Sequence, residues 1–368
     1  MRTKFLRSVS IAIMCGASAC STGSLQSGET ATVAPPVPSS ATASSTASGL
    51  GSSNAAPHAS VEALRKALHA HYSYRDRLGI DWNLAIDERA QELAAAPDAR
   101  AFAKIASEIL AGAKDPHVTL AVEGQSQRLV PYLPQPVLNV ALPTLQRVIK
   151  DWNVRTKCLV TGRFDGYAYV LITHWDRARC GAELGADVAK ALSDAADAKG
   201  LILDMRGNTG GDEMLARAVA GRFVKKPTPY ARHTFVAPAT PGSFGPLLER
   251  LLEPIAGGWE RPVVTLMGPA NLSSNEAFLL MMRAAGSKLI GQRSGGSSGN
   301  PQPHELGNGV TVFLPSWKAI LLDGSPLEGV GVAPDIEIAT KPADFEKEDP
   351  VLVAAVAELR KSPEPGGR

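Results

Sequence analysis

Leu201-Ile202-Leu203-Asp204-Met205-Arg206-Gly207-Asn208-Thr209-Gly210-Gly211 begins as a short apolar run and ends in glycines. An apolar run without polar alternation is the pattern of a strand covered on both faces. Glu213 to Phe223 then reads as a helix, so the glycine-rich stretch is a strand-to-helix turn. The same alternation continues in both directions. Upstream lie a strand from Tyr167 to Ile172 and a helix from Ala182 to Ala198; downstream lie a strand from Pro262 to Met267 and a helix from Ser274 to Ala285. Strands separated by helical patterns argue for βαβ-like units and an α/β fold class. Val310 to Phe313, Ala319 to Leu321 and Ile336 to Ile338 close the series as short strands among Gly and Pro turns, and no repeat is present.

The front of the chain has a different texture. From Ser60 to about Leu110 apolar residues recur at helical spacing, among them Leu64, Leu68, Leu93, Phe102, Ile105, Ile109 and Leu110, with breaks at Gly79 to Trp82 and at Pro97. This predicts several short helices forming a cap or lid domain. Val118 to Val160 is apolar and proline-rich, with short strands that are hard to place. Residues 1–20 read as an export signal: Arg2, Lys4 and Arg7 precede the apolar run Val9 to Met14 and the small residues Gly16 to Ala19. Cys20 directly follows Ala17-Ser18-Ala19, a pattern similar to a bacterial lipobox; the alternative is plain cleavage after Ala19. Acylation there would tether the protein to a membrane on the periplasmic side of a bacterial envelope. Residues 21–58, almost all Ser, Ala, Thr, Gly and Pro, read as a disordered linker. The expected plan is then a helical cap at 59–125, a core domain at 126–345, and a C-terminal helix and tail at 346–368.

A formal charge of +2 on 368 residues is close to balance, and the chain lacks the basic tract or aromatic-interleaved patch that nucleic-acid binding needs. No later stretch reaches the roughly eighteen apolar residues of a membrane span. With Cys15 in the signal and Cys20 the candidate lipid site, Cys158 and Cys180 remain. An oxidising compartment favours a bridge between them, with two free buried thiols as the alternative. Neither has a spaced partner that would suggest a metal.

Three short stretches carry chemistry. The turn at Gly207 to Gly211 presents backbone N–H groups at a helix start, able to hold an anion or a developing oxyanion, or it is a plain tight turn. It has no phosphate-loop lysine, so nucleotide binding is the weaker alternative. The strand Val264 to Gly268 runs through Pro269-Ala270-Asn271-Leu272-Ser273-Ser274-Asn275-Glu276 into a helix. Ser273 at that elbow is placed as a nucleophile, while Ser273-x-x-Glu276 equally fits a capping box. Lys114-Asp115-Pro116-His117-Val118 places a histidine where a helical stretch passes into a strand-like run, as a general base or as a structural histidine.

In this order, these stretches resemble the C-terminal processing (tail-specific) peptidases and tricorn protease cores. The matching segments are His71-Tyr72-Ser73-Tyr74 with Gly79-Ile80-Asp81-Trp82, Asp115 to Val118, Leu203 to Gly211, Asn271 to Glu276, Gly295 to Pro301, and Leu327 to Ile336, covering roughly residues 60 to 340. The resemblance implies a spiral β-β-α core of the Clp-protease and crotonase kind, with no cofactor. It also implies a serine endopeptidase acting on peptides or unfolded proteins of the export pathway and envelope. Ser273 falls where the family places its nucleophile. Many tail-specific members pair that serine with a lysine in a Gly-Lys-Gly turn, but this chain has Gly295-Gly296-Ser297-Ser298 there. The tricorn-like branch uses an N-terminal histidine and a late glutamate, which fall at His117 and Glu328. The implied triad is Ser273, His117 and Glu328, with an oxyanion hole from the amides of Gly210 or Gly211 and of Ser274. Glu276 and Asp115 are alternative carboxylates for the histidine; Lys288, read as the end of a helix, and Lys318 are the remaining lysine candidates. Between His117 and Tyr167 there are only about fifty residues, too few for the peptide-binding PDZ domain of typical members. Two other readings remain: a non-catalytic binder of peptide or of a lipid or retinoid-like ligand, and an acyl-thioester enzyme on the related spiral core.

Overall fold

A computed structural model describes residues 57–237, 240 and 242–362; the export signal, Cys20 and nearly all of the linker lie outside the described residues. The chain opens with helices α1 (Pro57–His71), α2 (Trp82–Asp87), α3 (Ala90–Ala94) and α4 (Ala99–Leu110), then strand β1 (Thr119–Val122). Next come α5 (Leu142–Val148), β2 (Lys150–Val154), β3 (Leu159–Phe164), β4 (Tyr167–Ile172), α6 (Arg177–Cys180), α7 (Leu184–Asp194), β5 (Leu201–Asp204) and α8 (Glu213–Ala220). A ribbon of β6 (Thr228–Phe235) and β7 (Leu248–Leu252) precedes β8 (Val263–Met267), α9 (Ser274–Ala284) and β9 (Lys288–Gly291). The chain ends with β10 (Pro301–Glu305), β11 (Val310–Pro315), β12 (Trp317–Ile320), β13 (Ile336–Glu337) and α10 (Pro350–Leu359).

Among the described residues the main sheet runs β13-β9-β8-β5-β4-β3-β2, parallel from β13 to β4 and antiparallel over β3 and β2. The pleat of β5 distributes its apolar run as period two requires. Leu201 and Leu203 enter the core formed with α7, α8 and α9, while Ile202 enters the core formed with α5 and α10. A sheet clothed by helices on both faces is therefore the α/β arrangement that the alternation predicts. Aspartates start two of its helices: Asp212 caps α8 through the Met214 amide, and Asp349 caps α10 through the Val351 and Leu352 amides.

Asp349 also ties the carboxyl end of the chain to the sheet. The fully buried Arg206, just past β5, grips Asp204 and Asp349 with paired bonds of 2.7–3.0 Å and donates to the Asn139 carbonyl at 2.9 Å. Arg206 of the glycine-rich motif is thus a structural clamp.

The third core joins α1 to α4 and β1 to Leu306, Val310, Val312 and Leu314, because β1 pairs with β11 of the late β10–β11 hairpin. The cap is therefore not confined to residues 59–125: β1 leaves an edge that only a strand distant in sequence completes. Other boundaries shift as well. Helix α1 begins at Pro57, inside the stretch read as linker. The helix read over 182–198 is the shorter α7, Leu184–Asp194, and a further short helix, α6, precedes it across Gly181 (φ 88°). Lys288 opens β9 rather than ending a helix, since α9 stops at Ala284 before Gly286 at φ 89°. The segment between β1 and β4 holds α5 and the β2–β3 ribbon that widens the main sheet, with no inserted domain. A Cys158–Cys180 disulfide, Cα atoms 5.2 Å apart, ties the start of β3 to α6. No described helix is long and apolar enough to cross a membrane.

Candidate active site

β5 and β8 are neighbouring parallel strands, so their carboxyl-end turns lie side by side. Asn271 stitches them: its amide nitrogen donates to the carbonyls of Met205 (2.6 Å) and Asn208 (3.0 Å), and its oxygen accepts the Gly268 amide (2.8 Å). Ser273, at the start of α9, is held at φ 55° and ψ −129°, a conformation a non-glycine residue rarely adopts. Its amide donates to the Ser297 carbonyl (2.7 Å) and to the Glu276 carboxylate (3.2 Å). Such a residue is gripped by its surroundings, as a presented nucleophile must be, and half of the predicted capping box is also present.

The oxyanion candidates separate on inspection. The Gly210 amide is taken by the Asn208 side chain at 2.9 Å. The Gly211 amide and the Ser274 amide at the first turn of α9 have no acceptor among the described residues. They adjoin each other, because the Ser274 hydroxyl donates to the Gly211 carbonyl at 2.6 Å. Gly211 (φ 133°) must be glycine: a Cβ there would lie 2.1 Å from the Trp175 carbonyl oxygen.

His117 approaches from the cap. Its amide donates to Asp115 Oδ1 (2.9 Å), which also lies 3.6 Å from its Nδ1, while the Tyr72 hydroxyl donates to Asp115 Oδ2 (3.0 Å). Nδ1 itself is 2.9 Å from the Ser297 hydroxyl. No hydrogen bond joins His117 directly to Ser273 among the described residues; both converge on Ser297. Glu328 accepts the Ser298 amide (2.8 Å) and makes no bond to His117. Burial, and then the charge of Asp115, push its carboxyl well above the usual carboxylate range.

Glu276 is fully buried and accepts from four donors: the Ser294 hydroxyl (2.5 Å) and the amides of Gly296 (2.8 Å), Ser297 (2.9 Å) and Ser273 (3.2 Å). Burial pushes it up to about 7, against the pull of those hydrogen bonds. Its role is to hold the 294–297 loop against the start of α9. Lys318 stands over the Phe244 ring at 4.0 Å and Lys288 is exposed on β9, so neither is bonded to Ser273.

Ser273, Ser274 and Gly211 lie on the wall of a cavity of about 370 Å³ that continues between α9 and the β12-β6-β7 sheet. Ala277, Leu280, Ala319 and Leu327 make its apolar side. Arg250 in its wall is neutralised by Glu213 and stacks over Trp317 at 4.8 Å. Burial, reinforced by Arg250, pushes His233 in the same wall down to about 4, leaving it neutral near pH 7.

Sequence reasoning thus located Ser273, Ser274 and Gly211 in one patch and His117 and Glu328 at its edge. Ser297, which both His117 and the Ser273 amide meet, was not among the expected site residues. The signal was a polar residue in a glycine turn where relatives place a base.

Residues 166–338 match the family described as peptidase family S41. A crystal structure from Parabacteroides merdae is similar at 22% identity with a TM-score of 0.71, covering 83% of this chain and 97% of that one. Mature CPAF complexed with lactacystin is similar at 10% identity and a TM-score of 0.57 (83% and 97% covered), and a lipoprotein from Streptococcus agalactiae at 14% and 0.55 (83% and 95%). No curated protein matches. Residues 166–338 therefore match a peptidase family S41 core, which supports a serine peptidase, and the fold around that core is similar to those solved structures.

Proposed function

We propose that the chain is an endopeptidase of exported and envelope proteins, with Ser273 as nucleophile and His117 as general base. The observation that carries this reading is the shared anchor: the amide of one residue and the imidazole of the other both bond to Ser297, a residue distant from His117 in sequence. With Nδ1 occupied, Nε2 is the imidazole nitrogen left for the Ser273 hydroxyl. Ser273 Oγ then bonds to the scissile carbonyl carbon as its proton passes to Nε2, and the carbonyl electron pair moves onto oxygen. The Gly211 and Ser274 amides receive that oxyanion. Collapse expels the amine, which takes the proton from Nε2; water then repeats the sequence, releasing the acid and restoring the serine. Glu328 supports the site through the Ser298 amide, which its carboxylate accepts at 2.8 Å. The basic and apolar start of the chain supports export, and Cys20 supports a lipid anchor on the periplasmic side of the membrane.

Ser273→Ala and His117→Ala are each expected to abolish cleavage of an unstructured peptide while leaving circular dichroism and Tm near wild type. A fluorophosphonate probe should label the wild type at Ser273. Full activity in either variant refutes the assignment, and an unlabelled, inactive wild type with a ligand in the cavity would mark a binding protein on this fold.

A further inference from the structure

We propose that Ser297 is the positioning residue that sets the tautomer of His117, in the place a carboxylate holds in a serine-peptidase triad. This deepens the reading of Ser273 and His117 as nucleophile and base, and rests on it. Three sets of contacts point to Ser297. Its hydroxyl is 2.9 Å from His117 Nδ1, within hydrogen-bond range. Its main chain is fixed independently of that hydroxyl, the carbonyl by the Ser273 amide at 2.7 Å and the amide by Glu276 at 2.9 Å. The distance between base and nucleophile is therefore set through one residue. The three carboxylates that could orient the ring are otherwise engaged: Asp115 Oδ1 accepts the His117 amide and stands 3.6 Å from Nδ1, beyond a hydrogen bond, Glu328 accepts the Ser298 amide, and Glu276 accepts the Ser294 hydroxyl and the Ser273, Gly296 and Ser297 amides.

Ser297 is itself unsuited to attack a substrate. It is 4% exposed and is not among the residues lining the cavity, whereas Ser273, Ser274 and Ser298 are. Its hydroxyl is engaged with His117 Nδ1. In the base-competent form Nδ1–H donates to Ser297 Oγ and Nε2 carries the lone pair. The same bond steadies the imidazolium formed after proton transfer, with Asp115 supplying negative charge nearby. A hydroxyl acceptor holds the ring without a formal charge of its own, in a pocket where Glu276, Glu328 and Asp115 are already crowded.

The test compares Ser297→Ala with Ser297→Thr, which keeps the hydroxyl, against wild type on a quenched fluorescent peptide. For Ser297→Ala the expected result is a fall in kcat of about 30-fold or more, on the scale of losing an orienting acceptor. KM should change little, since no cavity wall is altered. The acidic limb of the kcat/KM profile should move to lower pH, because the imidazolium loses an acceptor. Ser297→Thr should recover most of the rate. A second readout needs no turnover: in ¹⁵N-histidine-labelled Ser273→Ala protein, His117 should be Nδ1-protonated at neutral pH, and adding Ser297→Ala should abolish that bias. Unchanged kcat and pH profile in Ser297→Ala, with the fluorophosphonate adduct still on Ser273, overturns this inference and leaves the nucleophile assignment standing. An adduct mapped to Ser297 overturns both.

Discussion

Gly210 offers a measure of how tightly Ser273 is held. Its φ of 104° is outside the range of L side chains, and an added Cβ would lie 2.7 Å from the Leu272 carbonyl oxygen, 2.9 Å from Ser273 Cβ and 3.2 Å from the Ser274 amide. Set against an ordinary 3.4 Å contact, the first two are short by 0.7 and 0.5 Å. None of the three is the end of a flexible side chain, so the β8–α9 turn itself must retreat from Gly210→Ala, carrying the serine with it. A misplacement of about 1 Å in a reacting group costs on the order of 100-fold in rate, so a retreat of this size should lower kcat by about 30-fold. The Gly210 amide is already bonded to Asn208, so the loss comes from displacement and not from a missing oxyanion donor. Backbone strain adds a stability cost of about 1–3 kcal/mol. Gly286→Ala is the matched control, with φ 89° and open space around the added carbon: it should lower Tm and leave kcat unchanged. The assay is steady-state cleavage of a fluorogenic peptide alongside thermal unfolding by circular dichroism. A folded Gly210→Ala enzyme with more than a third of wild-type kcat would refute the claim that this contact places Ser273.

The raised carboxyl of Glu276 makes stability depend on pH in an uncommon direction. Its folded value of about 7 exceeds the ordinary 4.5, so its contribution is fully present below about 4.5 and is lost as pH rises through 7, approaching about 3 kcal/mol by pH 8. Glu276→Gln should flatten that slope in urea unfolding at a series of pH values, and parallel slopes in the two proteins would count against it. Reduction of the Cys158–Cys180 bridge, which closes a sequence separation of 22, should cost about 3 kcal/mol and change the peptide map; a map indifferent to reductant would dismiss the bridge. Asp349→Ala removes one of the two buried carboxylates that Arg206 grips and the cap of α10. It should destabilise by about 3–5 kcal/mol while the folded fraction keeps wild-type kcat, and a Tm near wild type would show that the clamp is dispensable.

Much of the fold is written in local pattern. The apolar runs at Tyr167–Ile172, Leu201–Asp204 and Val263–Met267 are strands because nothing in them can face water, and helical spacing in the cap residues marks one buried face per helix. The β6–β7 ribbon carried no such mark. Its exposed Leu248 and Leu251 and its buried Arg250 invert the usual pattern, and the strands are held by pairing with β12 and by the Arg250–Glu213 contact. The β10–β11 hairpin could not be assigned to the cap, since what it covers is an edge some 190 residues earlier.

The same division runs through the site. Ser273 at a strand-to-helix elbow, the glycines that let Trp175 and Leu272 approach, and the histidine after Asp115 are each specified within a dozen residues, because turn geometry and capping are short-range. Which amide is left free of an internal acceptor, which hydroxyl meets the imidazole and which carboxyl is pushed upward depend on partners supplied by other elements: Asn208 on Gly210, Ser297 on His117, Asp115 beside Glu328. Hydrogen-bond choice and burial are properties of the assembled cores. The sequence therefore determined the candidate groups, and only the packing of the cap and its hairpin against the main sheet decided how they meet.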